Sequence, residues 1–195
     1  MRGAPNLNAN AAAGLSLVEV LVTVVVLAFG LLGIAALQAK VQVGSIEAYQ
    51  RAQAVVLLDD MRSRILGNSA HAADYVTTAP LGKNDTQPAD CTALAPGSAR
   101  DKCEWSQELK GAAEQTGAGA ASGAMIDARG CVEQLQAPDP AAGVCKPGIY
   151  RVSVAWQGLH PTKASGLACG ANQYGADANR RAISVQLAIG LPACI

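Results

Sequence analysis

Residues 15–37 form an apolar run long enough to cross a bilayer, and a single carboxylate, Glu19, interrupts it near its start. At about 1.5 Å per residue a helix over this run spans roughly 35 Å, against a hydrocarbon core of about 30 Å. An acid in hydrocarbon is unfavourable by roughly 2.5–3.5 kcal/mol on insertion scales, so Glu19 needs a charge partner and reads as functional. The short polar segment 1–14 precedes the run.

The words around the acid are specific. Residues 14–22 read G-L-S-L-V-E-V-L-V, which resembles the cleavage and assembly motif of type IV prepilins, where a Gly closes a leader and a Glu sits five residues into the mature chain. Residues 28–38, A-F-G-L-L-G-I-A-A-L-Q, residues 150–158, Y-R-V-S-V-A-W-Q-G, and the cysteine-rich end are similar to minor pilins of the PilV family. The chain departs from the usual pattern in starting its mature form with Leu15 where Phe is common, and in carrying only Arg2 as a basic residue in the leader.

The resemblance implies that a prepilin peptidase cuts between Gly14 and Leu15 and methylates the new amine of Leu15. It implies that Glu19 of one subunit faces that amine in its neighbour. The expected fold is α+β and pilin-like: a long N-terminal helix, half transmembrane and half amphipathic, packed on a small disulfide-reinforced antiparallel sheet. The expected partners are other minor pilins, the major pilin, the peptidase and the inner-membrane assembly machinery. The implied role is to prime pilus assembly, in support of twitching motility and adhesion. The expected location is the bacterial inner membrane, crossed once with the C-terminal domain in the periplasm, and then the cell-surface pilus. A minor pseudopilin of a type II secretion system would share the N-terminal motif. A membrane-tethered periplasmic binding protein or enzyme is the third class.

An ordinary secretory signal is cut after its apolar stretch and lost, whereas the candidate junction here lies before the stretch and would leave it on the mature chain. Without Gly14 and Glu19, the reading would be a plain single-pass anchor. Gly30 and Gly33 fall inside the run, where small residues permit close helix approach and also soften the helix.

The division expected along the chain is a leader at 1–14, a membrane or assembly segment at 15–37, an amphipathic helical half at 38–67 and a globular domain at 68–195. Past residue 37, Val41, Ile46, Tyr49, Val56, Leu57 and Ile65 alternate with polar residues at helical spacing, and the first strong stop is Gly67-Asn68. Gly44-Ser45 is a soft point. Residues 68–130 read as long connections with one short helix near 103–113 that carries Trp105 and Leu109 on one side. Alternation predicts strands over 149–157 and 183–189, with a third near 131–136, forming an antiparallel sheet that covers the helix. Trp156 reads as a core anchor.

Six cysteines, Cys91, Cys103, Cys131, Cys145, Cys169 and Cys194, all follow the apolar run. An even number on the exported side reads as a disulfide framework. Pairing between neighbours is the expectation, and the family resemblance favours Cys169 with Cys194. No C-x-x-C pair exists and His71 and His160 stand apart, so neither a metal site nor a cofactor is expected. Formal net charge is +0 with 15% charged residues, so no basic footprint argues for nucleic acid. Asp59 and Asp60 are adjacent but point about 100° apart on a helix, which suits an exposed face better than paired acid–base catalysis. The glycine-rich tract at 117–123 lacks phosphate-loop spacing. No catalytic constellation emerges, and the chain is not expected to be an enzyme.

Overall fold

A computed structural model describes residues 16–112, 117 and 125–191 of the 195-residue chain. The chain divides into two compact units at the Gly44–Ser45 step. A single helix, α1 (Leu17–Gly67), contributes to both.

In the first unit, the described residues from Leu17 on are helical, and the large apolar side chains are exposed on all sides, from Leu17 at 81% through Phe29 at 72% to Leu37 at 63%. A helix that is apolar all round belongs in a membrane or among other helices, because water offers its surface nothing. The polar Thr23 is neutralised locally, its Oγ1 donating to the Val20 carbonyl at 2.8 Å.

The second unit holds the remainder of α1, a short 3-10 segment (Ser69–Tyr75), helix α2 (Ser98–Leu109) and strands β1 (Leu81–Gly82), β2 (Ile126–Gln136), β3 (Gly148–Gln157) and β4 (Arg180–Ile189). The strands form one antiparallel sheet in the order β1-β2-β3-β4. β3 pairs with β4 without a break from Gly148↔Ile189 to Gln157↔Arg180. One face presents Val132, Tyr150, Val152, Val154, Trp156 and Leu187 to Ala54, Leu57, Leu58, Met61 and Ile65 of α1 and to Trp105 and Leu109 of α2. Met61, Ile65 and Trp105 are completely buried, and each such aliphatic side chain contributes about 1.5–3 kcal/mol through removal from water. The long helix therefore covers the apolar face of a small antiparallel sheet, as expected; of the residues that marked its helical spacing, Leu57 and Ile65 are buried there, whereas Val41, Ile46, Tyr49 and Val56 are exposed.

α2 starts five residues before the expected position and stops earlier, at Leu109, where Gly111 takes a φ of +84°. β2 begins at Ile126 and not near Cys131, and it carries a register shift between Ile126 and Arg129.

The opposite face of the sheet is covered by the connection from β3 to β4, which forms a second apolar cluster of Cys131, Ala155, Cys169 and Tyr174. The bridge Cys131–Cys169 pins this connection to β2, with Cα atoms 5.7 Å apart, and Cys91–Cys103 ties the preceding loop to α2. Cys145 is also disulfide-bonded, and Cys194 lies outside the described residues. Two expectations are corrected: Cys169 is not joined to Cys194, nor Cys131 to its neighbour Cys145. The cause is the path of the β3–β4 connection, which doubles back over the sheet and brings Cys169 onto Cys131. Arg180, only 2% exposed, holds that path. Its guanidinium donates to the carbonyls of Ser165 at 2.9 Å, Leu167 at 2.7 Å and Cys169 at 3.0 Å. It also forms a fork with Asp177, with Nε at 2.7 Å and Nη2 at 2.9 Å, and this hydrogen bonding holds the Asp177 carboxyl below its ordinary range.

Candidate functional site

Glu19 lies in the first turn of α1 and is exposed. The unpaired N–H groups and positive dipole end of a helix favour a carboxylate there. Val18, Val20, Leu21 and Val22 surround it, all exposed, and no described residue of the same chain forms an ion pair with it. The geometry thus presents one acid, in an apolar collar, to whatever packs beside the helix. Gly14 and Leu15, the expected cleavage and methylation positions, lie outside the described residues. Gly30 and Gly33 open the helix surface further along, since a methyl group added at either would meet nothing within 4 Å.

Asp59 and Asp60 do not act together. Asp59 is 67% exposed and pairs with Arg62 at 3.2 Å, while Asp60 turns toward Arg64, whose Nε lies 2.8 Å from its Oδ2. Arg64 also reaches Asp101 at 3.4 Å, Glu104 at 2.6 Å and Glu108 at 3.2 Å, all on α2. One guanidinium thereby fastens the amphipathic half of α1 to α2. Burial opposes its charge, but the hydrogen bonds to Glu104 and Asp60 outweigh that and raise its pKa. Glu108 is raised by burial and by the nearby Asp60. The Tyr75 hydroxyl donates to Asp101 beside this cluster, and burial together with that bond pushes its pKa up to about 12.

Asp85 anchors the turn after β1. It accepts from the Gly82 N–H at 2.8 Å, Ser106 Oγ at 2.6 Å and Lys110 Nζ at 2.5 Å. Burial works against its charge, but these bonds hold its carboxyl below the usual range. His71 sits 3.5 Å from Asp74 and His160 3.7 Å from Glu47, each at the surface. Among the described residues no group of three or more His, Cys, Asp or Glu converges as a metal site would require.

Sequence reasoning missed the structural weight of Arg64, Arg129 and Arg180. Each is a charged residue inside or beside an element, and nothing in a linear pattern separates a buried arginine from a solvated one. No family model, curated protein or solved structure matches the chain.

Proposed function

We propose that the chain is a minor pilin of the type IV pilus, similar to the PilV family, held in the bacterial inner membrane by α1 until it enters a filament. The observation that carries this reading is Glu19: a carboxylate with no ion-pair partner among the described residues, in the first turn of a helix whose large apolar side chains from Leu17 to Leu37 are exposed. Transfer of such a residue into a bilayer or a dry helix bundle is tolerable only with a countercharge. A neighbour's freshly cut, methylated Leu15 amine supplies that charge. The exposed positions at Gly30 and Gly33 suit close approach of a second helix. The disulfide-tied second unit suits the oxidising periplasm.

In this reading the prepilin peptidase hydrolyses the Gly14–Leu15 bond and methylates Leu15. The mature chain then joins other minor pilins and the major pilin to prime filament growth, which serves twitching motility and adhesion. Mass spectrometry of the native N-terminus tests the processing step, and a chain starting at N-methyl-Leu15 is the expected result. Native protein that retains Met1 to Gly14, or that has lost the apolar segment, overturns the proposal. Recovery of the protein in sheared pili, and not with secretion-system components, separates a pilus subunit from a pseudopilin.

A further inference from the structure

Arg129 is 5% exposed, yet no described carboxylate lies within ion-pair distance of it. Its Nη1 donates to the Asp127 carbonyl at 3.2 Å, its Cζ lies 4.9 Å from the centre of the Tyr174 ring, and the Tyr174 hydroxyl is its other polar neighbour. Arg180, buried to the same degree, satisfies its guanidinium with three carbonyls and a carboxylate. A buried cation is ordinarily paired, because desolvation penalises the isolated charge. Arg129 is held in place all the same. Asp127 adopts a φ of +52° at the irregular start of β2, and its carbonyl accepts from both Arg129 and the Tyr174 hydroxyl, the latter at 3.0 Å. The Cys131–Cys169 bridge, two residues further along β2, fixes the connection that carries Tyr174.

Arg129 lines a cleft of about 400 Å³ bordered by Lys83, Lys102, Thr78, Asn84 and Thr86. Lys83 contacts Asp127 at 3.2 Å and Lys102 donates to the Asp74 carbonyl at 2.7 Å. Asp85, the carboxylate in the wall, is already engaged with Lys110, Ser106 and two backbone N–H groups. The cleft lining therefore brings Arg129, Lys102 and the Asp127-paired Lys83 together with uncharged hydroxyl and amide side chains. A guanidinium fork matches a carboxylate or phosphate, and the neutral groups match hydroxyls.

We infer that this cleft binds a small polyhydroxylated ligand carrying one oxyanion, a carboxylate or a phosphate, with Arg129 as its anchor and Lys83 and Lys102 at its rim. The inference is independent of the pilus reading, since every residue involved belongs to the second unit.

Isothermal titration of the full chain in detergent micelles with glucuronate, glucose 6-phosphate and glucose tests it. The expected result is binding of at least one anionic sugar with a dissociation constant of about 1 mM or below, and of glucose at least about tenfold more weakly. The better of the two acids identifies the oxyanion. Arg129→Gln, with an unchanged circular dichroism spectrum, weakens that binding by about tenfold or more. Should that variant fail to fold, the rim variant Lys83→Gln/Lys102→Gln takes its place, with weakening of about threefold or more expected. No binding of either acid, equal binding of glucose, or unchanged binding by the folded variant overturns the inference.

Discussion

The Trp105 ring lies directly over Gly130: a Cβ built at position 130 would overlap Trp105 Cη2 and Cζ3 and fall 2.8 Å from Leu109 Cδ1. The absence of a side chain on β2 is what lets α2 approach the sheet, and it seats the indole so that Nε1 donates to the Leu57 carbonyl of α1 at 2.9 Å. Gly130→Ala should therefore destabilise the second unit by about 1–3 kcal/mol through overpacking. Trp105→Ala should cost about 3–5 kcal/mol by leaving a cavity. Urea unfolding followed by circular dichroism measures both, and a Gly130→Ala protein as stable as the parent would refute the contact.

The bridges are the next target. Cys131–Cys169 closes a separation of 38 residues and Cys91–Cys103 one of 12, so the chain-entropy model assigns them about 4 and about 3 kcal/mol respectively. Replacing the Cys131–Cys169 pair with Ala should be the more damaging change. Peptide mapping without reduction should recover the 131–169 and 91–103 linkages, and a 169–194 linkage would contradict the described arrangement.

Tyr75 gives the fold an alkaline limit. Its folded pKa of about 12 stands above the ordinary 10.0, so the folded state favours the neutral phenol. The corresponding stability is fully present below pH 10.0 and is lost as pH rises through about 12. Tyr75→Phe should remove that alkaline loss and cost about 1 kcal/mol at neutral pH, for the bond to Asp101. Chemical denaturation at stepped pH compares the two proteins, and identical alkaline profiles would count against the Tyr75–Asp101 interaction.

The proposed role of Glu19 separates assembly from folding. Glu19→Ala should leave the unfolding curve of the second unit unchanged, because among the described residues every buried residue of the core lies beyond Gly44. It should sharply reduce recovery in sheared pili while the membrane-bound pool persists. Normal incorporation would break the proposed charge pairing.

The elements most legible in the sequence were those that repeat an apolar residue at a fixed period. β3 and β4 alternate Tyr150, Val152, Val154, Trp156 and Ile183, Val185, Leu187 against polar residues, and both lie where that alternation puts them. The start of β2 was invisible because Asp127, Arg129 and Gly130 carry no apolar signal: one is buried as a cation, and another is chosen for having no side chain at all. β1 spans only two residues, too few to show a period. The first turns of α2, Ser-Ala-Arg-Asp, lack the apolar spacing that marks its later turns. Cysteine pairing depends on the three-dimensional path of the β3–β4 connection, and Arg180 fixes that path through contacts up to 15 residues away. For Glu19, the surrounding words carried the signal, and the structure adds that no described residue of its own chain pairs with it.

Arg180 grips the stretch before β4 chiefly by its main-chain oxygens, at Ser165, Leu167 and Cys169. Every amino acid supplies such an oxygen, so most side chains along this strap can change without altering its course. The outward lettering of the strap is thus uncoupled from its trajectory, leaving a surface free to diversify on a scaffold that one arginine keeps constant.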